Sequence, residues 1–549
     1  MTGRSTTFDE EGVGFFHRLG TFVTEIRASL TGGRFSPFTG VAPALPVLML
    51  GNVGIAQRLY RGVFAFAGQT IECQPTRIFD VRPPSAGWSD ELSGFAWLAH
   101  LEAPGLALYR AFARCLVLSW AAQRRRTSFE ASCRRLMSFS RHAGFLLTDA
   151  PSHFESHFLR LVSRETRRLV SLRPQGAHDQ LRQSIAVLTA ALAFRGGGGL
   201  RSDALSSSAS LITSVILPDG GPADRSPKTL LDLLADLVPL RAAMEARRIG
   251  VPHGLNAAME RAIPMLRMLS HGDDGLAVFH GVERTSIGTV QAILAHDVVQ
   301  GQPLAHAAHS GYCRLKQAQS VVIADCGAPS VCDSALAFEF SHGEQRIVGS
   351  CGVPANASRA WQEAARSSAA HSTLQLDNGG NPNLPTRKPT GGKPGQVTAE
   401  FLETPQGTLV KARSGVHARL IHTREFFLAS DGQDFRGEDR IEPREQGLPP
   451  ENFTIRFHLH PLVKASANRR GAAIILLLPN KEAWQFSARG GVMALEESIY
   501  LAGSGPRHSQ QIVIRGTTET TPRINWAFRK VERPAKHNET QGAAPRLPF

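Results

Sequence analysis

GYCRLKQAQSVVIADCG (311–327), LAFEFSHGEQRIVGSCG (336–352) and AHSTLQLDN (370–378) decide how this chain is divided. Val321, Val322, Ile323 and Ala324 form an unbroken apolar run of strand length, and Leu336 to Phe340 form the next. Arg346, Ile347 and Val348 open a third. Gly or Asn closes each run, as strand ends require. Upstream of this stretch the apolar spacing is helical, and downstream it is that of strands. Residues 311–378 are therefore read as the junction of two domains.

Working back toward the N-terminus, residues 88–126 have helical spacing with breaks at Gly94 and at Pro104-Gly105. Trp97, Leu98, Leu101 and Leu108 are expected in the core. Phe154, Phe158, Leu161, Val162 and Leu169 make the stripe of a second helix, ended by Pro174. Residues 179–194 make a third, stopped by the glycines 196–199. That run lacks the Lys-Ser/Thr of a phosphate-binding loop and reads as an ordinary loop. Residues 229–247 and 255–269 continue the series, with a kink expected at Pro264. The apolar stretch 40–56 holds too many Pro and Gly for a membrane span and is expected to pack as a loop.

Working forward, the short runs TLVKAR, REFFLAS, NFTIRFHLH, AAIILLL, AWQFSA and QIVIRG predict a many-stranded antiparallel sandwich. Residues 377–395 read as a mobile Pro/Gly/Asn loop. The expected organisation is a lead-in over 1–60, a helical domain over 61–298, a β-sandwich over 299–533 and a disordered tail over 534–549.

The chain has 549 residues, 20% of them charged, and a formal charge of +14 carried by 52 Arg and only 9 Lys. Such a field attracts an acidic polymer. No basic stripe with interleaved aromatics accompanies it, so no nucleic-acid partner is expected. Seven scattered Cys do not form a disulfide framework. The first twenty residues lack a basic region followed by an apolar core, which favours a cytoplasmic setting.

Five motifs in order (GYCRL, LAFEFS with RIVGSCG, AHSTLQLDN, RFHLHP and HSQQIVIRG) resemble the bacterial heparinase II/III family, over roughly residues 50–530. The resemblance implies an α/α toroid followed by an antiparallel β-sandwich. It implies a polysaccharide lyase that cleaves a uronic-acid-containing chain by β-elimination, acting in the cell envelope or periplasm. Its partner would be an acidic polysaccharide, with no transmembrane segment, and a homodimer is an allowed assembly.

A lyase needs a base and an acid around the proton next to the uronate carboxylate, and donors for the charge that builds there. By the resemblance, Tyr312 and His371 take the first role and Arg225 the second. On strand 452–460, alternation sets Arg456, His458 and His460 on one polar face. Arg456, His460 and His271 of HGDDG are the expected substrate contacts. His458 matches a zinc-binding histidine of one branch of the family, and Cys332 and Cys351 would complete a zinc set of thiolate and imidazole. Three departures from the family pattern stand against activity. Pro222 replaces a His, Ser226 an Asn, and Cys332 a His. A catalytically silent glycan-binding or envelope-assembly protein on the same scaffold is the alternative. A hydrolase would instead need two facing carboxylates, drawn from Asp219, Asp273 and Asp274.

Overall fold

A computed structural model describes residues 35–531 apart from 124–125, 282–285, 297–302, 354–358, 378–396, 418, 469–472 and 504–505. The loop expected over 377–395, the tail and most of the lead-in thus lie outside the described residues.

The helical part is a series of antiparallel helices, among them Ala107–Ala122, Phe129–Arg141, Ser152–Ser171, Ala177–Ala193, Leu200–Val215, Pro227–Ala246 and His253–Met268. The breaks fall where Gly and Pro demand them. Helix Ala86–Gly94 ends before Phe95, which is left-handed at φ 58°. Leu98–Glu102 stops short of Pro104-Gly105. Asn52, Ser85 and Ser128 cap their helices by accepting from the N–H three residues on. Trp97, Leu98 and Leu101 are core, as expected, but Leu108 is 52% exposed, on the outer face of its helix. Pro239 and Pro264 both lie inside continuous helices. Of the apolar stretch 40–56, Phe38–Val41 pairs with Phe194–Gly196, a loop follows with Leu50 86% exposed, and Val53–Tyr60 is helical. Among the described residues no helix is long and apolar enough to cross a membrane.

Two antiparallel sheets make the rest. The sheet on the toroid side runs in the order Val492–Tyr500, Arg507–Thr517, Asn452–Leu459, Gln345–Gly349, Phe338–His342, Ser320–Asp325, Tyr312–Gln317, His306–Ala307. The outer sheet runs Val397–Thr404, Gly407–Ser414, Leu420–Ala429, Asp434–Pro443, Arg523–Lys530, Ala483–Arg489, Ile474–Leu477, Lys464–Ala467. Ser320–Asp325 shows why its run is unbroken. Val321 and Ile323 join the helical core, while Val322 and Ala324 join the core between the sheets. A strand buried on both faces has no polar alternation to display. The architecture is an α/α toroid followed by a β-sandwich, with the quoted stretch at the seam.

Candidate functional site

The toroid loop 217–227 positions the first group of side chains. Leu217 N–H donates to Gly221 C=O at 2.8 Å, which folds the loop back on itself. Asp219 then accepts from the N–H groups of His309 (2.8 Å) and Ser310 (2.6 Å) on the sandwich side. A Cβ at Gly221 would come within 2.4 Å of Ser310 Cβ, so the approach requires glycine. Arg225, left-handed at φ 61°, turns its side chain into the seam. There its Nε donates to Ser310 C=O at 2.7 Å, and its other two nitrogens donate to Ala328 C=O and Asp325 Oδ1. Its guanidinium carbon lies 5.1 Å from the centre of the Tyr312 ring, and the Tyr312 hydroxyl donates to Arg225 C=O.

Asp325 is the hub. It is fully buried, and besides Arg225 it accepts from Ser334 Oγ at 2.6 Å and meets His280 Nε2 at 3.0 Å. Burial alone would raise its pKa, but Arg225 and then His280 hold it well below the usual carboxylate range. Burial drives the Tyr312 hydroxyl well above its ordinary pKa, against the pull of Arg225. His371 is 1% exposed, and neither ring nitrogen makes a hydrogen bond. Burial, with the nearby His280 and His458, lowers its pKa to about 3. The Ala365 carbonyl favours the protonated ring slightly without a well-aligned bond. A buried polar ring without partners costs stability. His371→Leu is accordingly expected to raise the unfolding free energy by about 1–3 kcal/mol. An unchanged or lowered denaturation midpoint would show that the ring is satisfied.

The structure therefore gathers Tyr312, His371 and Arg225 around Asp325, but shields all three from solvent. Arg225 is not an open carboxylate-binding group, because each of its nitrogens already has an acceptor. Above this floor opens a cleft of about 310 Å³ whose walls include Asp224, Ser226, Lys228, His280 and Arg366. Lys228 is paired with Asp232 at 2.7 Å, whereas no ion pair is formed by Arg366 among the described residues. Ser226 is on the wall, where the resemblance implies an Asn.

The HGDDG loop makes a second seam contact. His271 is 3% exposed and held between Ser341 Oγ (2.9 Å) and Glu339 Oε2 (3.0 Å), which corrects its expected role as a substrate contact. A Cβ at Gly272 would come within 2.1 Å of the Gly343 carbonyl oxygen, so the loop lies flat on the hairpin below it. Arg346 grips Asp273 through two bonds of 2.9 and 3.1 Å. Asp274 accepts from Gln291 at 2.9 Å, and Asp219 is engaged as described, so each carboxylate considered for hydrolysis already has protein partners. Glu339 also accepts from Val278 N–H at 2.8 Å. Burial raises its pKa to about 7, although Arg346 and the N–H donors oppose this. His460 and Tyr500 border the same small pocket with their rings edge to face at 5.3 Å. Burial lowers the His460 pKa to about 4.

Arg456, His458 and His460 do share one face of their strand, yet each has separate surroundings. Arg456 donates to Gln375 (2.9 Å) and Gln511 (3.2 Å). His458 Nε2 donates to Ala369 C=O at 2.9 Å, which leaves Nδ1 to accept from Ser498 Oγ at 2.8 Å. Its only lone pair is thus in use. Burial lowers its pKa to about 4, and the thiols of Cys332 and Cys351 are raised by burial to about 12 and about 11. Cys351 Sγ lies 3.5 Å from His458, but Cys332 sits beside His280, its N–H 3.4 Å from that ring. Among the described residues no three His, Cys, Asp or Glu side chains converge on a metal position, so the zinc set is not assembled.

Asp325, His280, Glu339, Arg346 and Tyr500 are the seam residues that sequence reasoning passed over. Asp325 and Glu339 left a signal, since each is a lone carboxylate inside an apolar run. Such a carboxylate must find a partner when the strand is buried.

Comparison with known proteins gives a family match, one curated relative and two solved structures of similar fold. The family described as Heparinase II/III-like, C-terminal, matches residues 299–527. FtsZ-localized protein C of Caulobacter vibrioides is 28% identical over 499 residues, covering 83% of this chain and 84% of its own. A crystal structure of heparinase III superposes with a TM-score of 0.71 at 13% identity, covering 95% of this chain and 91% of the other. A mutant of the heparan sulfate lyase HepC from Pedobacter heparinus does so with a TM-score of 0.61 at 13% identity, over 88% and 83%.

Proposed function

The chain belongs, through residues 299–527, to the heparinase II/III-like family, and on that premise we propose that it is a lyase-like protein acting on an acidic, uronic-acid-containing polysaccharide. The convergence of Tyr312, His371 and Arg225 around Asp325, beneath a cleft that carries Lys228 and Arg366, supports this reading. In it Arg366, which forms no ion pair among the described residues, draws the uronate carboxylate into the cleft, where Lys228 is balanced by Asp232. Both groups are closed to solvent, so the step requires the seam to open to the sugar. A ring nitrogen of His371 then accepts the proton next to that carboxylate, and the Tyr312 hydroxyl protonates the leaving oxygen. Electrons of the broken C–H bond become the new double bond, so cleavage consumes no water. Arg225 acts through Tyr312 and Asp325 and not on the substrate. The proposed setting is the cell envelope, with the cytoplasm as the alternative.

A second reading has its own support. Tyr312 and His371 are closed to solvent, and Pro222, Ser226 and Cys332 stand where the resemblance implies other side chains. The similarity to a protein named for its localisation with FtsZ extends over 83% of the chain. In that reading the cleft binds glycan without cutting it, or the scaffold serves envelope assembly.

One experiment separates them. Polyuronates and glycosaminoglycans are incubated with the protein while ultraviolet absorbance is followed, because elimination creates a conjugated double bond. Rising absorbance, lost in Tyr312→Phe and His371→Ala proteins that keep their circular dichroism, is the expected result. A flat trace with a polymer that co-sediments with the folded protein would replace the lyase by the silent scaffold.

A further inference from the structure

The four-glycine run that reads as an ordinary loop borders a cavity in the toroid. This cavity, of about 520 Å³, is a half-open recess in the toroid where helix Ala177–Ala193 ends and helix Leu200–Val215 begins. Its size falls in the range of small-molecule sites, about 300–1,000 Å³. One wall is apolar, from Leu192, Phe194 and Ile249, and the rim carries Arg195, Arg201 and Arg247. Among the described residues none of these three arginines pairs with a carboxylate. Arg195 and Arg201 are exposed. Arg247 donates through Nη2 to Pro43 C=O, while its Nη1 is shut off from solvent without any acceptor. A buried guanidinium nitrogen lacking an acceptor is uncommon, and leaves Arg247 with a donor that no protein group among the described residues uses.

The backbone adds donors to the same recess. Gly196, Gly197 and Gly198 have φ of 97°, 79° and 59°, a left-handed run that side chains would strain. A Cβ at Gly196 would come within 2.7 Å of the Pro37 carbonyl oxygen. This path brings Gly198 and Gly199 to the start of helix Leu200–Val215. No protein acceptor among the described residues meets the N–H groups of Gly198, Gly199, Arg201 and Ser202. The positive end of the helix dipole lies at the same place. Asp203, in the first turn, is not part of the cavity wall.

We propose that this recess is a binding site for a small phosphorylated molecule with an apolar body, distinct from the seam cleft. The phosphoryl group would lie among the three guanidinium groups and the free N–H groups, with the body along Leu192, Phe194 and Ile249. Phosphoryl is favoured over carboxylate because its additional oxygens can meet several guanidinium forks and N–H donors at once. Helix Leu200–Val215 has 16 residues and leads from this recess toward the seam loop. At 1.5 Å per residue that helix is about 24 Å long, and the recess and the seam cleft share no lining residue.

The test titrates the full chain with hexyl phosphate by calorimetry, beside heptanoate and inorganic phosphate. Saturable binding of hexyl phosphate is expected, with heptanoate and inorganic phosphate each weaker. In the Arg195→Glu/Arg201→Glu double variant the affinity should fall at least about tenfold, or 1.4 kcal/mol. Both positions are exposed, so folding should survive, and an unchanged thermal midpoint would verify it. No saturation by hexyl phosphate, or undiminished binding to the double variant, would overturn the site. Heptanoate binding as tightly as hexyl phosphate would overturn its assignment to phosphoryl ligands.

Discussion

Asp325→Ala is expected to lower the unfolding free energy by about 3–5 kcal/mol, the usual cost of removing one partner from a buried ion pair. The carboxylate has no exposed surface and serves Arg225, His280 and Ser334 together. Without it the Arg225 guanidinium stays in the seam with two carbonyls and no counter-charge. Tyr312, whose hydroxyl bonds Arg225 C=O and whose ring lies against the same guanidinium, would lose its fixed position as well. Urea unfolding followed by tryptophan fluorescence reads both parts of the molecule, since Trp88 is in the helical core and Trp526 between the sheets. Arg225→Met should cost a comparable amount, and the double variant less than the two losses added together, because the groups act as a unit. A loss below about 1 kcal/mol for Asp325→Ala, the level of an exposed pair, would refute the hub.

Glu339→Gln tests the second seam contact through its pH dependence. A carboxyl whose pKa in the fold lies above its unfolded value binds more protons when folded, so its contribution to stability falls as pH rises. Burial moves Glu339 from 4.5 to about 7, which sets the window between those two values. The contribution lost across it is about 3 kcal/mol. Glutamine keeps the shape and cannot ionise. The variant's stability relative to the natural protein should therefore rise by about 3 kcal/mol from pH 4.5 to above 7. The depressed pKa values of His371, His458 and His460 act in the other direction, taking stability away as pH falls below 6.5 toward 3 or 4. His371 and His458 are common to both proteins and cancel in the difference, while His460, whose pKa the Glu339 charge helps to hold up, titrates at about 4, below the window. Parallel pH profiles for the two proteins would mean that Glu339 is ionised throughout.

Much of the fold was legible because it rests on short-range rules. Gly94 and Pro104-Gly105 break helices through their own backbone preferences, and the run Val321–Ala324 declares a strand with no solvent face. Strand Asp434–Pro443 went unread for an opposite reason. Its inward positions are Phe435, Gly437, Asp439 and Ile441, so the apolar alternation is broken by a buried acid. Asp439 is satisfied by Arg424, His422 and the Trp526 indole, all brought in from other strands. No local pattern announces such a partnership. The site divides similarly. Tyr312, His371 and Arg225 come together because the fold that the motifs imply brings them together. What the motifs could not convey is that Arg225 is spent on Asp325, one hundred positions further along. His271 and His458 misled for the same reason, since a histidine among polar neighbours looks the same whether it faces solvent or a carbonyl.

The Arg225–Asp325 pair also has a consequence in time. A ribosome makes the chain from its N-terminus at about 5–20 residues per second, and domains fold as they emerge. Arg225 is made one hundred residues before Asp325, and the helices up to Pro227–Ala246 are complete in sequence within that interval. For about 5–20 seconds the nascent toroid would carry Arg225 with water as its only counterpart. The strand Ser320–Asp325 then has to dock against a surface already formed. The order of synthesis thus makes the toroid the template on which the first sandwich strands assemble.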